Sequence, residues 1–212
     1  MKIKSLIITL IIFVVINASP LLVKDGVAEG KSSGTLSLDE QQLIRELQKG
    51  GYVIYFRHTA TEQKTVQWDN IDLQDCATQR NLSELGRQQS LGIGAAFSSL
   101  GINVTRVVSS PFCRCIETGK LAFGTVEISH DLLFSPGSDK LLEAKLGKML
   151  RTKPLADGNT VLISHSSNLR ETTGIDPKPE GVAVIFKPQD DGSFSYVAMV
   201  RPDGWDDFLK EK

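Results

Sequence analysis

Three apolar runs in this sequence end on side chains suited to an anion. Tyr52–Phe56 leads into Arg57-His58, Val104–Val108 leads through Ser109-Ser110-Pro111 to Arg114, and Thr160–Ile163 leads to Ser164-His165. Arginine offers a planar fork that matches phosphate oxygens. A neutral imidazole can attack phosphorus and split one hard transfer into two steps. Nearby positive groups then offset charge on the transferring oxygens. Each residue also has a plainer reading. His58 alone would be a structural hydrogen-bonder, Arg57 a surface ion pair, Arg114 part of an exposed helix face, and His165 a helix cap. His130 has no matching context and is read as structural.

The elements around these residues alternate in type. Ser37, with Glu40 three places on, opens a helix that Gly50-Gly51 stops after Lys49. A short strand then delivers Arg57-His58. Residues 59–82 keep no steady period and read as a long loop, a kind of segment that is often functional. Ser83 opens a helix to Leu100. A strand over Val104–Val108 precedes a helix over Phe112–Phe123. A weaker strand lies near Val126–Ile128, and Asp139–Leu150 is helical. Thr160–Ile163 is a strand. Val182–Phe186 and Ser195–Val200 read as a hairpin or as neighbouring strands around Asp190-Asp191-Gly192, and a last helix is expected over Asp203–Leu209. This order predicts an α/β layered domain. In open sheets of that class, ligands collect beyond the carboxyl ends of strands. Residues far apart in sequence can therefore converge there.

Hydrophobic residues form 41% of the 212, enough for a sizeable core, and the formal net charge of −1 makes no electrostatic case for nucleic acid. Lys2 and Lys4 precede an apolar run from Leu6 to Ile16, followed by Asn17-Ala18-Ser19-Pro20. That is the order of a secretory leader, and the run is short for a membrane span. Residues 1–18 are therefore expected to be a signal peptide, with Ala28 an alternative cleavage position. Residues 19–36 read as a flexible lead-in, and 37–212 as the functional domain. The mature chain would be periplasmic or secreted, with no stable membrane insertion. Its charge would be −3, from 22 basic and 25 acidic residues. The spacing of His and Cys matches no metal site.

Four segments together carry a resemblance: YVIYFRHT over Tyr52–Thr59, NLSELGR over Asn81–Arg87, VVSSPFCRCIET over Val107–Thr118, and VLISHSSNL over Val161–Leu169. In this order they resemble the histidine phosphatase superfamily. The resemblance implies a phosphoglycerate mutase-like fold, a three-layer α/β/α sandwich on a mostly parallel central sheet. It implies a metal-independent phosphomonoester hydrolase with no cofactor, acting on a small phosphorylated substrate. By that resemblance His58 takes the phosphoryl group, Arg57 and Arg114 bind phosphate, and His165 completes the pocket. Export points to an envelope sugar phosphate or another exported phosphate compound. The alternatives are a weak or inactive phosphate-binding protein of the same fold, and a phosphomutase.

The sequence departs from the family in two places. Thr59 stands where glycine or alanine is usual, and its hydroxyl is expected to reach substrate. The leaving-group acid is missing from both usual places. His130-Asp131-Leu132-Leu133-Phe134 lacks the L-x-E pattern, and Ser166 rather than aspartate follows His165. Glu62, Asp69, Asp72, Asp131 and Glu180 remain as candidates, with Glu62 preferred for its place just past His58. A leaving group of low basicity would need less help from an acid.

Three cysteines complete the reading. Cys113 and Cys115 point apart in a helix, which argues against a bond between them. In an oxidising compartment Cys76 is expected to pair with Cys113, because both segments border the same pocket. Cys115 is the competing partner, and three reduced thiols are the third possibility.

Overall fold

The computed structural model describes residues 39–134, 138–155 and 157–210. The expected signal peptide, the lead-in and the Ser37 cap lie outside them. The first helix, α1 (Glu40–Lys49), is capped by Asp39, whose carboxylate accepts from the Gln42 N–H at 2.6 Å. Then follow β1 (Val53–Arg57), α2 (Glu84–Leu100), β2 (Val104–Ser109) and α3 (Cys113–Phe123). After them come β3 (Glu127–Ile128), α4 (Lys140–Arg151), β4 (Asn159–Ser164) and α5 (Ser166–Thr173). A hairpin of β5 (Ala183–Pro188) and β6 (Phe194–Val200) leads to α6 (Gly204–Lys210). The loop after β1 holds two 3₁₀ turns, at Trp68–Asn70 and Cys76–Thr78.

The strands form one six-stranded sheet in the order β3-β2-β4-β1-β5-β6. β3, β2, β4 and β1 run parallel, and β5 is antiparallel to both β1 and β6. Strand side chains alternate between faces. Ile54 and Phe56 of β1 face a core with Leu47 of α1, Phe97 of α2, Cys115 of α3 and Trp205 of α6. Val53 and Tyr55 face the opposite core with Leu146 and Leu150 of α4 and Leu169 of α5. Both faces of the central strands are thus covered, which is the expected three-layer α/β/α sandwich. The rings of Phe97 and Trp205 lie 4.7 Å apart, and Phe56 packs on both. Such pairs contribute about 0.5–1.5 kcal/mol each beyond plain burial.

Two local features bring α2 against the loop after β1. Ser83 caps α2, its hydroxyl accepting from the Gly86 N–H at 3.2 Å. Ser83 also donates its backbone N–H to the Ala60 carbonyl at 3.0 Å. A Cβ on Gly86 would lie 1.9 Å from that same oxygen, so only glycine allows this approach. The serine and glycine of the NLSELGR segment therefore dock the start of α2 two residues past His58.

Among the described residues no helix is long and apolar enough to cross a membrane.

Candidate active site

The sheet register brings the three strand ends together. Arg57 pairs with Ser164, and Ser109 pairs with Ile163. The His58 N–H donates to the Ser164 carbonyl at 3.0 Å, and the Ser110 N–H donates to the Ile163 carbonyl at 2.9 Å. His58 and His165 thus leave the ends of adjacent parallel strands, with ring centroids 5.5 Å apart. α3 begins just past β2 and carries Arg114 into the same space. A cavity of about 340 Å³ is lined there by Arg57, His58, Lys64, Arg80, Arg114 and His165.

Hydrogen bonds fix the imidazoles. Nδ1 of His58 lies 3.0 Å from the Thr59 carbonyl oxygen. A carbonyl only accepts, so Nδ1 carries the hydrogen and Nε2 of the neutral ring holds the lone pair. Burial, then the Arg114 charge, holds His58 well below the usual histidine range. The same two causes depress His165. Arg114 Nη2 donates to Nδ1 of His165 at 3.2 Å, and Nε2 of His165 faces the Ser110 hydroxyl at 3.0 Å. Since guanidinium only donates, Nδ1 of His165 accepts and its Nε2 carries the hydrogen. The Tyr55 hydroxyl donates to the His165 carbonyl at 2.7 Å, and the rings of Phe112 and Phe134 pack on the imidazole.

The cations are unevenly paired. Arg57 Nη2 and Arg80 Nη2 both donate to Oε1 of Glu180, at 3.1 and 3.2 Å. Thr61 donates its N–H to Oε2 of the same carboxylate at 2.8 Å. Arg114 is 4% exposed, and among the described residues no carboxylate pairs with it. Its guanidinium stacks over Phe112 at 4.4 Å, and burial lowers it from its ordinary value. The Nε atoms of Arg57 and Arg114 are buried without a hydrogen-bond partner. A buried cation with no counter-ion is costly, and a bound anion would remove that cost.

The structure brings Arg57, His58, Arg114 and His165 together. Two other expectations need correction. Thr59 is fully buried beneath the pocket, its hydroxyl 2.8 Å from that of Ser90 and 3.1 Å from that of Thr118. It supports the loop rather than touching the cavity. Glu62 is exposed and does not line the cavity; its N–H donates to the Asn81 carbonyl at 3.0 Å. The other acids are also engaged elsewhere. Asp131 pairs with Lys145 at 2.7 Å, Asp72 accepts from Gln74, and Asp69 lies exposed in its turn. Among the described residues no carboxylate lines the cavity, and Glu180 approaches it only through Arg57 and Arg80.

Sequence reasoning missed Lys64 and Arg80. Arg80 directly precedes the NLSELGR segment, which was its available signal. Its position is set by neighbours. Gln79 is fully buried, and its Oε1 accepts from the Cys113 N–H at 3.0 Å. Cys76 and Cys113 form a disulfide, and Cys115 is a buried free thiol. The crosslink and Gln79 thus tie the Arg80 loop to the start of the Arg114 helix. Among the described residues no group of His, Cys, Asp and Glu could hold a metal ion.

No family model matches the sequence, and no curated protein matches it in a sequence search. Solved structures do match in fold. The protein histidine phosphatase SixA, complexed with tungstate, is 19% identical, with a TM-score of 0.52 over 71% of this chain and 97% of that one. An open reading frame product of Mycobacterium tuberculosis is 15% identical, with a TM-score of 0.51 over 70% and 96%. A candidate alpha-ribazole-5′-P phosphatase of Escherichia coli is 11% identical, with a TM-score of 0.52 over 72% and 98%. The chain therefore has the fold of these proteins, the phosphoglycerate mutase-like α/β sandwich.

Proposed function

We propose that this chain is a phosphatase of the histidine phosphatase superfamily, taking a phosphoryl group onto Nε2 of His58 and releasing it to water. One observation carries the reading: the buried, carboxylate-free Arg114 shares a cavity with two depressed imidazoles. Such a site favours an anionic ligand, and a phosphoryl group is one with oxygens for the arginine forks. The Thr59 carbonyl holds the His58 proton on Nδ1, so the lone pair of Nε2 is free to attack phosphorus. Arg57 and Arg114 offset charge on the transferring oxygens. His165 fixes the Arg114 fork and walls the cavity. Tungstate in the SixA structure is an oxyanion of similar shape, which supports the same use of the fold here.

The absence of a carboxylate among the described cavity residues favours a second reading, a phosphate-binding protein with little turnover. Hydrolysis of p-nitrophenyl phosphate separates the two, because its leaving group needs little help from an acid. We expect turnover that His58→Ala abolishes. Phosphate binding with no turnover would favour the second reading.

We also propose that the chain is exported and acts outside the cytoplasm. The leader-like N-terminus and the Cys76–Cys113 bond support this, since such bonds persist in oxidising compartments. Mass measurement on protein recovered outside the cytoplasm checks it. A mature chain without Met1 is expected, and an intact chain confined to the cytoplasm would contradict it.

A further inference from the structure

The cavity holds more positive charge than one phosphoryl group requires. Arg57, Lys64, Arg80 and Arg114 line it, and among the described residues Glu180, bonded to two of them, is the carboxylate that pairs with these cations. That leaves a surplus of three positive charges, with both histidines neutral. A phosphoryl group carries at most about two negative charges near neutrality. One positive charge stays unmatched.

The surplus has a place. Arg57 ends β1 beside His58 and Arg114 lies in the first turn of α3, whereas Lys64 and Arg80 come from the long loop after β1. Lys64 Nζ donates to the Ala77 carbonyl at 2.9 Å, and Arg80 is held through Gln79 and the Cys76–Cys113 crosslink. Lys64 is exposed and Arg80 partly so, whereas Arg57 and Arg114 are more deeply buried, so the two loop cations lie on the side of the cavity toward solvent. No carboxylate lines it among the described residues to protonate a leaving oxygen. An alkoxide would therefore leave as a strong base. A phosphate monoester would leave without a proton, because its second pKa is about 6.

Resting on the reading of His58 as nucleophile, we infer that the substrate is a terminal diphosphate, R–O–PO₂–O–PO₃, with its inner phosphate held by Arg80 and Lys64. The Nε2 lone pair of His58 forms a bond to the terminal phosphorus. The bond from that phosphorus to the bridging oxygen breaks, and its electron pair stays on the oxygen. The leaving group is the monophosphate R–O–PO₃, already anionic and paired with Arg80 and Lys64. Water then bonds to phosphorus, the N–P pair returns to Nε2, and both water protons pass to inorganic phosphate. The third charge of the diphosphate matches the surplus cation.

The test compares methyl diphosphate with methyl phosphate, and uses p-nitrophenyl phosphate as a reference. The wild-type chain should show a kcat/KM for methyl diphosphate at least 100-fold above that for methyl phosphate. The double variant Lys64→Gln/Arg80→Gln should lower kcat/KM on methyl diphosphate at least tenfold more than on p-nitrophenyl phosphate. A wild-type ratio near one overturns the diphosphate assignment, even if the double variant fails to fold. Equal losses on both substrates in the double variant also overturn it. Failure of the underlying reading looks different: p-nitrophenyl phosphate is then not hydrolysed, or is hydrolysed equally well by His58→Ala.

Discussion

Arg114 and His165 lie 51 residues apart and meet at 3.2 Å, guanidinium Nη2 donating to imidazole Nδ1. The bond fixes two things. It forces the hydrogen of His165 onto Nε2, and it holds one arm of a buried arginine that lines the cavity and whose Nε has no hydrogen-bond partner. Lysine at 114 could keep the charge but not the fork that serves both partners. Arg114→Lys should therefore lower kcat/KM for p-nitrophenyl phosphate by about 10²-fold, near the loss of one charge-stabilising donor. Steady-state kinetics with a folding control checks this, and unchanged kinetics would remove Arg114 from phosphate binding.

The same buried pocket makes stability depend on pH. Burial and Arg114 hold His58 and His165 well below their ordinary range in the folded chain. The unfolded chain, with histidines near 6.5, binds more protons as pH falls below that value. Stability is therefore complete above about pH 6.5 and declines as pH falls from there toward the depressed folded values. The slope reaches at most about 1.4 kcal/mol per pH unit for each histidine. Urea unfolding between pH 5 and 7.5 in phosphate-free buffer should show this decline. The His58→Ala/His165→Ala variant should lose most of it, and an equal slope in both proteins would contradict the assignment.

Much of this site was legible because its parts sit at strand ends. A strand that stops in Arg-His, and another followed by histidine, can converge whatever the intervening sequence, and here they did. The Ser83 cap and the Gly86 contact also follow from residue types that have few substitutes. Side-chain direction in the long loop was not legible. Nothing in residues 59–64 says that Thr59 turns inward to Ser90 and Thr118 while Glu62 turns out. Those directions follow from partners far along the chain. The Thr61 N–H bonds Glu180 at a separation of 119 residues, and Arg80 is set by a disulfide and a buried glutamine. The plainer reading of His165 as a helix cap marks where α5 starts, but its extent was not legible, because Ser166–Thr173 buries only Ser167, Asn168 and Leu169 and so shows little helical apolar period. Asp39 rather than Ser37 caps α1, a shift of two residues between equally good capping types.

The disulfide should stabilise the chain and protect none of its third thiol's chemistry. Closing a separation of 37 residues is worth about 3–4 kcal/mol in the chain-entropy view. Cys76→Ser/Cys113→Ser should lower unfolding stability by about that amount. Cys115 is fully buried, and burial pushes its thiol up to about 12. Alkylation should therefore label no thiol in the native protein and one after unfolding without reductant. Three thiols labelled under that condition would show the bond to be absent.

Gly86 offers a test of how the fold positions His58. A methyl at that position would meet the Ala60 oxygen at 1.9 Å, so α2 or the loop must shift. Gly86→Ala should cost about 1–3 kcal/mol, in the range of overpacked sites. It should also weaken phosphate binding, measured by titration calorimetry. Neighbouring Leu85→Ala, at an exposed position, serves as the control. Equal stability and phosphate affinity in the two variants would contradict the docking role of Gly86.

The central claim is that phosphorus passes through His58. Wild-type protein should be mixed with phosphorus-32-labelled p-nitrophenyl phosphate (labelled on phosphorus), quenched in alkali within milliseconds, digested and mapped by mass spectrometry. A phosphoryl group on the peptide bearing His58 is expected, stable to alkali and lost in acid, and absent in His58→Ala. Turnover with the label on no peptide, or on a different residue, would contradict the mechanism.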